Sequence, residues 1–369
     1  MSLSRHHRQT LLPGIGEAGQ VRLAGSHAAI VGVGALGCMV AELLCRAGVG
    51  RLTLIDRDVV ELTNLQRQVL FGTGDVGQAK VEAAGARLRA IDPGVVVNER
   101  AFDLTGANAE EVLGLGGLKP ARSASEAHRG VGAEEGSRPS GGPDVIIDGT
   151  DNFETRYLLN DVAVKHGLAL VYGGVIATRG MSGTFVPGGA CLRCVFEEPP
   201  EPGSTATCDT AGVFGPAVAI VGAAQAADAI KILSGSGERL SHSLLDFDLW
   251  ANQRRRIPIG ERRADCPCCG LGKFEFLSGA AGDSLSLCGQ DAIQISPRGT
   301  SVCDLPALRD RLVRVALSAP VLTRFMVRVR VEGPGGELDV SVFGDGRAII
   351  RGTTSPQVAR TVYARYVGA

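Results

Sequence analysis

Residues 28–58, AAIVGVGALGCMVAELLCRAGVGRLTLIDRD, constrain the fold more than any other stretch of the chain. The stretch opens with small apolar residues that read as a buried parallel strand. Gly32, Gly34 and Gly37 follow in G-x-G-x-x-G spacing. Cys38 to Ala47 then runs as an apolar helix, and Arg51 to Ile55 makes a second strand that ends in Asp56. A strand, glycine turn, helix and strand, with an acid about twenty residues past the glycines, form a dinucleotide-type fingerprint that leaves open which nucleotide is bound. The glycines let backbone N–H groups approach a phosphate at the helix N-terminus. Asp56 is placed to accept hydrogen bonds from ribose hydroxyls. A tight turn between packed elements is the alternative, and it leaves Asp56 without a purpose.

The chain has 369 residues, 44% of them hydrophobic, which is ample for a large core and suggests about two domains. Its formal net charge is −1 with no long charge run, so neither a nucleic-acid partner nor a membrane surface is expected. The opening MSLSRHHRQT lacks the apolar core of a signal peptide. The longest apolar run, residues 211–224, is too short to span a bilayer and reads as a buried helix. A cytoplasmic protein is the expectation. Ten cysteines without a secretion signal point to metal or catalysis rather than to a disulfide framework.

Several segments carry candidate chemistry. Asp58 to Leu70 is polar, with Asn64, Gln66, Arg67 and Gln68 close together: either a solvated loop or a phosphate- and ribose-facing segment. Residues 77–91 form an amphipathic helix with Lys80 in the first turn, where it opposes the helix dipole unless an anion lies nearby. Val95 to Glu99 reads as a third strand. Residues 114–142 have almost no large apolar side chains and read as a flexible insertion. Asp144 to Ile147 reads as another buried strand, followed by Asp148 and Asp151 at the sheet edge where open α/β folds place ligands. Asp151 is either a Mg²⁺ ligand on nucleotide phosphates or the N-cap of a helix beginning near Phe153. Further elements are a helix over Tyr157 to His166, strands over Leu168 to Val171 and Ser243 to Phe247, and a basic connection over Arg254 to Arg263.

Two knuckles, Cys191-Leu-Arg-Cys194 and Cys266-Pro-Cys268-Cys269, give tetrahedral zinc ligation by Cys191, Cys194, Cys266 and Cys269. Four thiolates leave no open position, so the zinc is structural; Cys268 is a competing donor. The Pro/Gly/Ser-rich loop over Glu197 to Thr207 leads to Cys208, which precedes a helix and is either a nucleophile or an incidental small residue. Residues 271–369 read as a small α+β unit with no motif that suggests a mechanism. Within it Cys288 and Cys303 are more readily core residues than functional ones.

Taken together, Arg5-His-His-Arg8-Gln9, GVGALG, LIDRD, TNLQRQ, GQAKVE, DGTDNFETR, CLRC, CDTAGVFGP and CPCCG resemble the ThiF/MoeB/HesA family of ubiquitin-activating-like adenylyltransferases over about residues 4–270, most nearly its MoeB-type, molybdopterin-synthase members. The resemblance implies a doubly wound Rossmann-like α/β sheet with a Cys₄ zinc site over residues 1–270, and a small α+β domain over 271–369. It implies ATP bound by Gly34, Asp56, Asp58, Asn64, Arg67, Gln68 and Lys80, with Asp151 on Mg²⁺. It further implies a homodimer in which Arg8 reaches the nucleotide of the second subunit. The activity implied is adenylation of the C-terminal Gly-Gly carboxylate of a ubiquitin-like sulfur carrier, of molybdopterin or thiamine type. That carboxylate is ionised at pH 7, so positioning and cations suffice and no general base is needed. In some relatives the cysteine matching Cys208 forms a thioester or persulfide. The chain departs from the pattern at His6-His7, at the extra Cys268 and in the insertion, and its C-terminal unit does not read as the rhodanese domain that some relatives carry. Two other readings use the same glycine turn: a nicotinamide dehydrogenase, which leaves Arg8, Arg67, Lys80 and Asp151 unexplained together, and a non-catalytic scaffold for a ubiquitin-like partner.

Overall fold

The computed structural model describes residues 3–116, 141–201, 208–279, 292–297 and 302–368. Two short helices, α1 (His7–Thr10) and α2 (Gly16–Gly25), lead into strand β1 (His27–Val31). There follow α3 (Ala35–Ala47), β2 (Arg51–Ile55), α4 (Lys80–Ile91), β3 (Val96–Arg100), α5 (Ala109–Val112), β4 (Val145–Asp148) and α6 (Phe153–His166). The large sheet is completed by β5 (Ala169–Ile176), β6 (Arg179–Phe185), α7 (Leu192–Val195), α8 (Cys208–Ala211), α9 (Gly215–Ser234), β7 (Ser243–Asp248) and β8 (Gln253–Pro258).

Its strand order is β3-β2-β1-β4-β5-β6-β7-β8, parallel through β5 and antiparallel from β6 to β8. This is the expected doubly wound α/β sheet. The apolar β1 is buried along its whole length because helices cover both faces. Winding reverses between β1 and β4, and a ligand crevice forms at such a reversal. There Gly32 and Gly149 leave the ends of the two strands, and the Gly149 N–H donates to the Val31 carbonyl at 2.8 Å.

Helix α9 is longer than the apolar run that announced it. It has 20 residues and is long and apolar enough to cross a membrane by length and composition, yet half of its apolar window is buried within the protein. It packs on α2, α3, β5 and β6. Its buried Gln225 donates to the carbonyls of Asp148 (2.8 Å) and Val171 (3.3 Å), so α9 is a core helix of the sheet.

Two strands depart from expectation. β6, RGMSGTF, lacks the apolar alternation that marks a strand because its neighbours fill the space of its missing side chains. A Cβ on Gly180 would lie 2.5 Å from Phe247, and one on Gly183 2.5 Å from Leu244. The expected basic connection after residue 253 is instead the edge strand β8, whose exposed Arg254, Arg255 and Arg256 are the kind of charged side chains that keep a sheet edge from pairing further. Of the proposed insertion, residues 117–140 lie outside the described residues, as do 202–207 of the Pro/Gly/Ser-rich loop and Cys288.

The C-terminal unit is a second sheet. β9 (Ala292–Ile295), α10 (Leu305–Leu312), β10 (Val321–Leu322), β11 (Met326–Gly333), β12 (Gly336–Phe343), β13 (Ala348–Arg351) and α11 (Pro356–Tyr366) follow in the chain. Its strands run antiparallel in the order β10-β11-β12-β13-β9. Alternation divides the two faces. Val327, Val329, Val331, Val340 and Val342 pack with Leu308 and Leu312 of α10 and Val362 of α11. Met326, Phe343, Ile349 and Ala292 join the core of the large sheet instead.

Candidate nucleotide site and cysteine centre

Each fingerprint glycine answers a different constraint. Gly32 has φ +84°, and a Cβ there would lie 2.6 Å from the Gly149 carbonyl oxygen. A Cβ on Gly37 would lie 1.9 Å from the Gly32 oxygen, so α3 can seat on β1 only through glycine. Gly34 is open: the nearest atom to its Cβ position is Gln68 Nε2 at 3.8 Å. Gly34 also precedes α3, whose first turn has no side-chain cap. Free N–H groups at a helix start beside open space suit a phosphate.

Asp56 directly follows β2 and is buried. Its Oδ2 accepts from Val33 N at 2.7 Å and its Oδ1 from Asp58 N at 2.7 Å, which locks the carboxylate against the glycine turn. Lys80 Nζ lies 3.1 Å from Asp58 Oδ2. Burial pushes the Asp56 carboxyl above the usual range, against the pull of Lys80. Burial also disfavours the charged Asp58, but Lys80 and Arg57 outweigh it and hold that carboxyl well below the usual range. The Lys80 ammonium is disfavoured by burial, then raised overall by Asp58, Asp56 and Asp151. The anion that offsets Lys80 in the first turn of α4 is therefore the protein's own Asp58.

The 61–68 segment lies beside this cluster. Buried Asn64 accepts from Glu61 N through Oδ1 at 3.0 Å. Arg67, half-buried, donates to Thr63 O at 2.9 Å. Gln68 is 4% exposed, and its Oε1 has no hydrogen-bond partner among the described residues. A buried carbonyl left unbonded next to Gly34 fits a ligand donor at that point.

The two acids after β4 separate. Asp148 is fully buried and receives Arg156 Nε at 2.7 Å. Arg156 also donates to the carbonyls of Thr150 and Gly173, both at 3.1 Å, and lies over the rings of Phe153 and Tyr172. Asp151 is exposed and is not the helix cap: Asn152 caps α6, its Oδ1 accepting from Thr155 N at 2.8 Å. The capping alternative for Asp151 is thereby removed, which leaves an acceptor-only side chain at the ligand edge, suited to a hard cation. Sequence reasoning missed Arg156 and Gln225 as the groups that hold the β4 and β5 ends; for Gln225 the available signal was an amide inside an apolar helix, whereas Arg156 is one charge among several in α6.

Arg8 is not part of this cluster. Its neighbour Gln9 donates to Ala47 O at 2.9 Å, at the C-terminal end of α3. The glycine turn lies at the other end of that 13-residue helix, about 20 Å away. Arg8 itself is exposed. Cys208 opens α8; its side chain is outside the described residues.

Cys191, Cys194, Cys266 and Cys269 place their four sulfurs within 4.8 Å of one another. The separations of 3.7 Å for Cys191–Cys266 and 3.4 Å for Cys194–Cys269 approach the value of about 3.8 Å set by tetrahedral Zn–S bonds. Burial pushes the Cys194 thiol up to about 11, so thiolates crowded here call for a cation. Cys268 stands outside the four, its sulfur receiving Asn160 Nδ2 at 3.2 Å.

A doubly wound sheet with an open glycine turn, a buried acid–lysine cluster at the winding reversal and four clustered cysteines defines a nucleotide-binding α/β enzyme. The ThiF family profile matches residues 6–268, and the chain belongs to that family. The sulfur carrier protein ThiS adenylyltransferase of Bacillus subtilis is 37% identical over 369 residues, covering 99% of both chains. The sulfur carrier protein adenylyltransferase of Thermus thermophilus is 39% identical over 274 residues, covering 73% of this chain and 91% of its own. The crystal structure of E. coli MccB with ATP superposes with a TM-score of 0.53 at 22% identity over 69% of each chain, a likeness of fold. With relatives of these names at these coverages, the chain is an adenylyltransferase.

Proposed function

We propose that this protein adenylates the C-terminal glycine carboxylate of a ubiquitin-like sulfur carrier of the thiamine type. The observation that carries the choice of carrier is coverage. The Bacillus relative matches through the C-terminal sheet, whereas the Thermus relative covers only 73% of this chain. A molybdopterin-type carrier is the competing substrate.

In the reaction, a carboxylate oxygen of the carrier attacks the α-phosphorus of ATP. The new O–P bond gives the acyl-adenylate, and the bond to pyrophosphate breaks with its electron pair leaving on pyrophosphate. The carboxylate arrives ionised, so no side chain need remove a proton. Like-charge repulsion and charge on the leaving group form the barrier, and fixed cations lower it. Gly34 and the start of α3 receive phosphate, Asp56 and Asp58 the ribose side, and Asn64 and Gln68 flank the nucleotide. Arg67, Lys80 and Arg8 of the partner subunit, in a homodimer, supply positive charge. Asp151 would hold Mg²⁺, which when bound neutralises phosphate charge. Cys191, Cys194, Cys266 and Cys269 would hold a structural Zn²⁺, and Cys208 acts only after adenylation. Residues 1–270 form the adenylation domain and 271–369 a small domain attached to it. Thiolate chemistry of this kind suits a reducing compartment such as the cytoplasm.

ATP–pyrophosphate exchange tests the proposal, run with intact thiamine-type and molybdopterin-type carriers and with tail-truncated controls. Exchange confined to the intact thiamine-type carrier is the expected result. Exchange confined to the other carrier overturns the pathway, and exchange with neither overturns the substrate.

A further inference from the structure

Accepting the nucleotide site just proposed, we propose that the C-terminal sheet braces its binding loop and that Arg347 is the positioning residue at the centre of that brace. Arg347 sits just before β13 and is 2% exposed. Its Nη1 donates to the Arg57 carbonyl at 2.6 Å and its Nη2 to the Ala101 carbonyl at 3.0 Å. Arg57 follows the end of β2 and Ala101 follows the end of β3, so one planar fork ties together two strand ends at the ligand edge of the sheet. The guanidinium is held from below by the Phe343 ring at 4.1 Å and from the side by Asp345, 3.5 Å from Nε.

The clamped carbonyl belongs to the residue between Asp56 and Asp58. Holding it sets the peptide planes that aim both carboxylates, and the Arg347 charge also acts on Asp58. The grip continues along the loop. Arg351 pairs with Glu61, whose N–H donates to Asn64 Oδ1 at 3.0 Å. Arg328 fills the space beside Gly77, where a Cβ would lie 1.6 Å from Nη1. Gln294 donates to Asp103 Oδ2 at 2.8 Å, and Asp103 Oδ1 accepts from Arg57 Nη1 at 3.0 Å. The small sheet thus touches the loop at its start, middle and end. Among the residues between those points are Asp58, Asn64, Arg67 and Gln68. A different contact between the two sheets, Arg324 to Glu99 at 2.6 Å, meets β3 away from the loop.

The test uses the full-length protein with R347M, R347K and the control R324M. Two readouts are taken: amide hydrogen exchange of residues 57–77 without ligand, and the ATP KM and kcat in the pyrophosphate exchange reaction, with Tm alongside. Positioning predicts faster amide exchange over 57–77 but not over 169–185 in R347M. It also predicts an ATP KM raised about tenfold at nearly unchanged kcat, a scale set by loss of hydrogen bonds from a charged donor. R347K keeps the charge but not the fork and shows the same pattern in weaker form, and it carries the test should R347M fail to fold. R324M lowers Tm without moving the ATP KM. Unchanged amide exchange over 57–77, or a lower Tm with wild-type KM in both Arg347 variants, overturns the proposal. Should wild-type protein catalyse no exchange with any carrier, the functional reading fails on its own, while the amide-exchange arm still decides whether Arg347 braces the loop.

Discussion

The glycines at the fingerprint turn offer a way to separate folding from nucleotide binding one Cβ at a time. In Gly37→Ala the new methyl starts 1.9 Å from the Gly32 carbonyl oxygen, and the contact must open by about 1.1 Å to reach the 3.0 Å closest approach of real Cβ atoms. That oxygen has little room to yield, because it packs against the Gly149 backbone, close enough that a Cβ built on Gly149 would lie 2.5 Å from it. The cost is that of overpacking a rigid core, about 1–3 kcal/mol or more. In Gly34→Ala the nearest atom is 3.8 Å away, so the methyl clashes with nothing and costs less stability than Gly37→Ala. On the proposed reading, the methyl instead occupies the space through which a phosphate approaches the start of α3. Losing one charged hydrogen bond there, worth about 1.5–3 kcal/mol, weakens ATP binding by about 10- to 150-fold. Urea midpoints and ATP dissociation constants by equilibrium dialysis read the two effects separately. Gly37→Ala is expected to lose both stability and binding, and Gly34→Ala chiefly binding. Wild-type ATP affinity in a folded Gly34→Ala protein would refute the assignment of the open glycine to phosphate.

Two further outcomes concern stability. One zinc per chain is expected, and its removal by a strong chelator should lower Tm by several degrees, as should Cys194→Ser. Metal loss that leaves the melting curve in place would contradict a structural centre. His27 is buried between Gly142 O and Thr53 Oγ1, and burial lowers its pKa from 6.5. Its folded form therefore prefers to be neutral while the unfolded chain takes up a proton near pH 6.5, so its contribution is present above that pH and is lost as pH falls through it. Urea midpoints should drop between pH 7.5 and 5.5, less so in His27→Gln; equal slopes in the two proteins would rule His27 out as the source.

The parts of this fold legible in the sequence are those where local pattern and tertiary demand coincide. β1 and β2 are largely apolar, β1 running into Gly32 and β2 out of Gly50, and they form where expected. The four cysteines announce their meeting because C-x-x-C spacing is a property of the metal geometry itself. Legibility fails where a residue answers to distant partners. β6 is written in glycine because Phe247 and Leu244 occupy its side-chain space. Asp151 and Asn152 are neighbours with similar capping chemistry, and only the backbone path decides that Asn152 caps α6. Arg347 looks like one arginine among many, since the carbonyls that define it lie 290 and 246 residues earlier in the chain.

The shared core of the two sheets has a bearing on how this chain can be cut or recombined. A polypeptide ending near residue 270 would strip the Arg57 and Ala101 carbonyls of their donors and Glu61 of its cation, and would uncover the apolar surface that now receives Met326, Phe343 and Ile349. The C-terminal sheet is thus a keystone rather than a bead on a string. A chimera that grafts it onto a shorter relative must carry the matching loop with it, and a shorter relative must close the same seam with residues of its own.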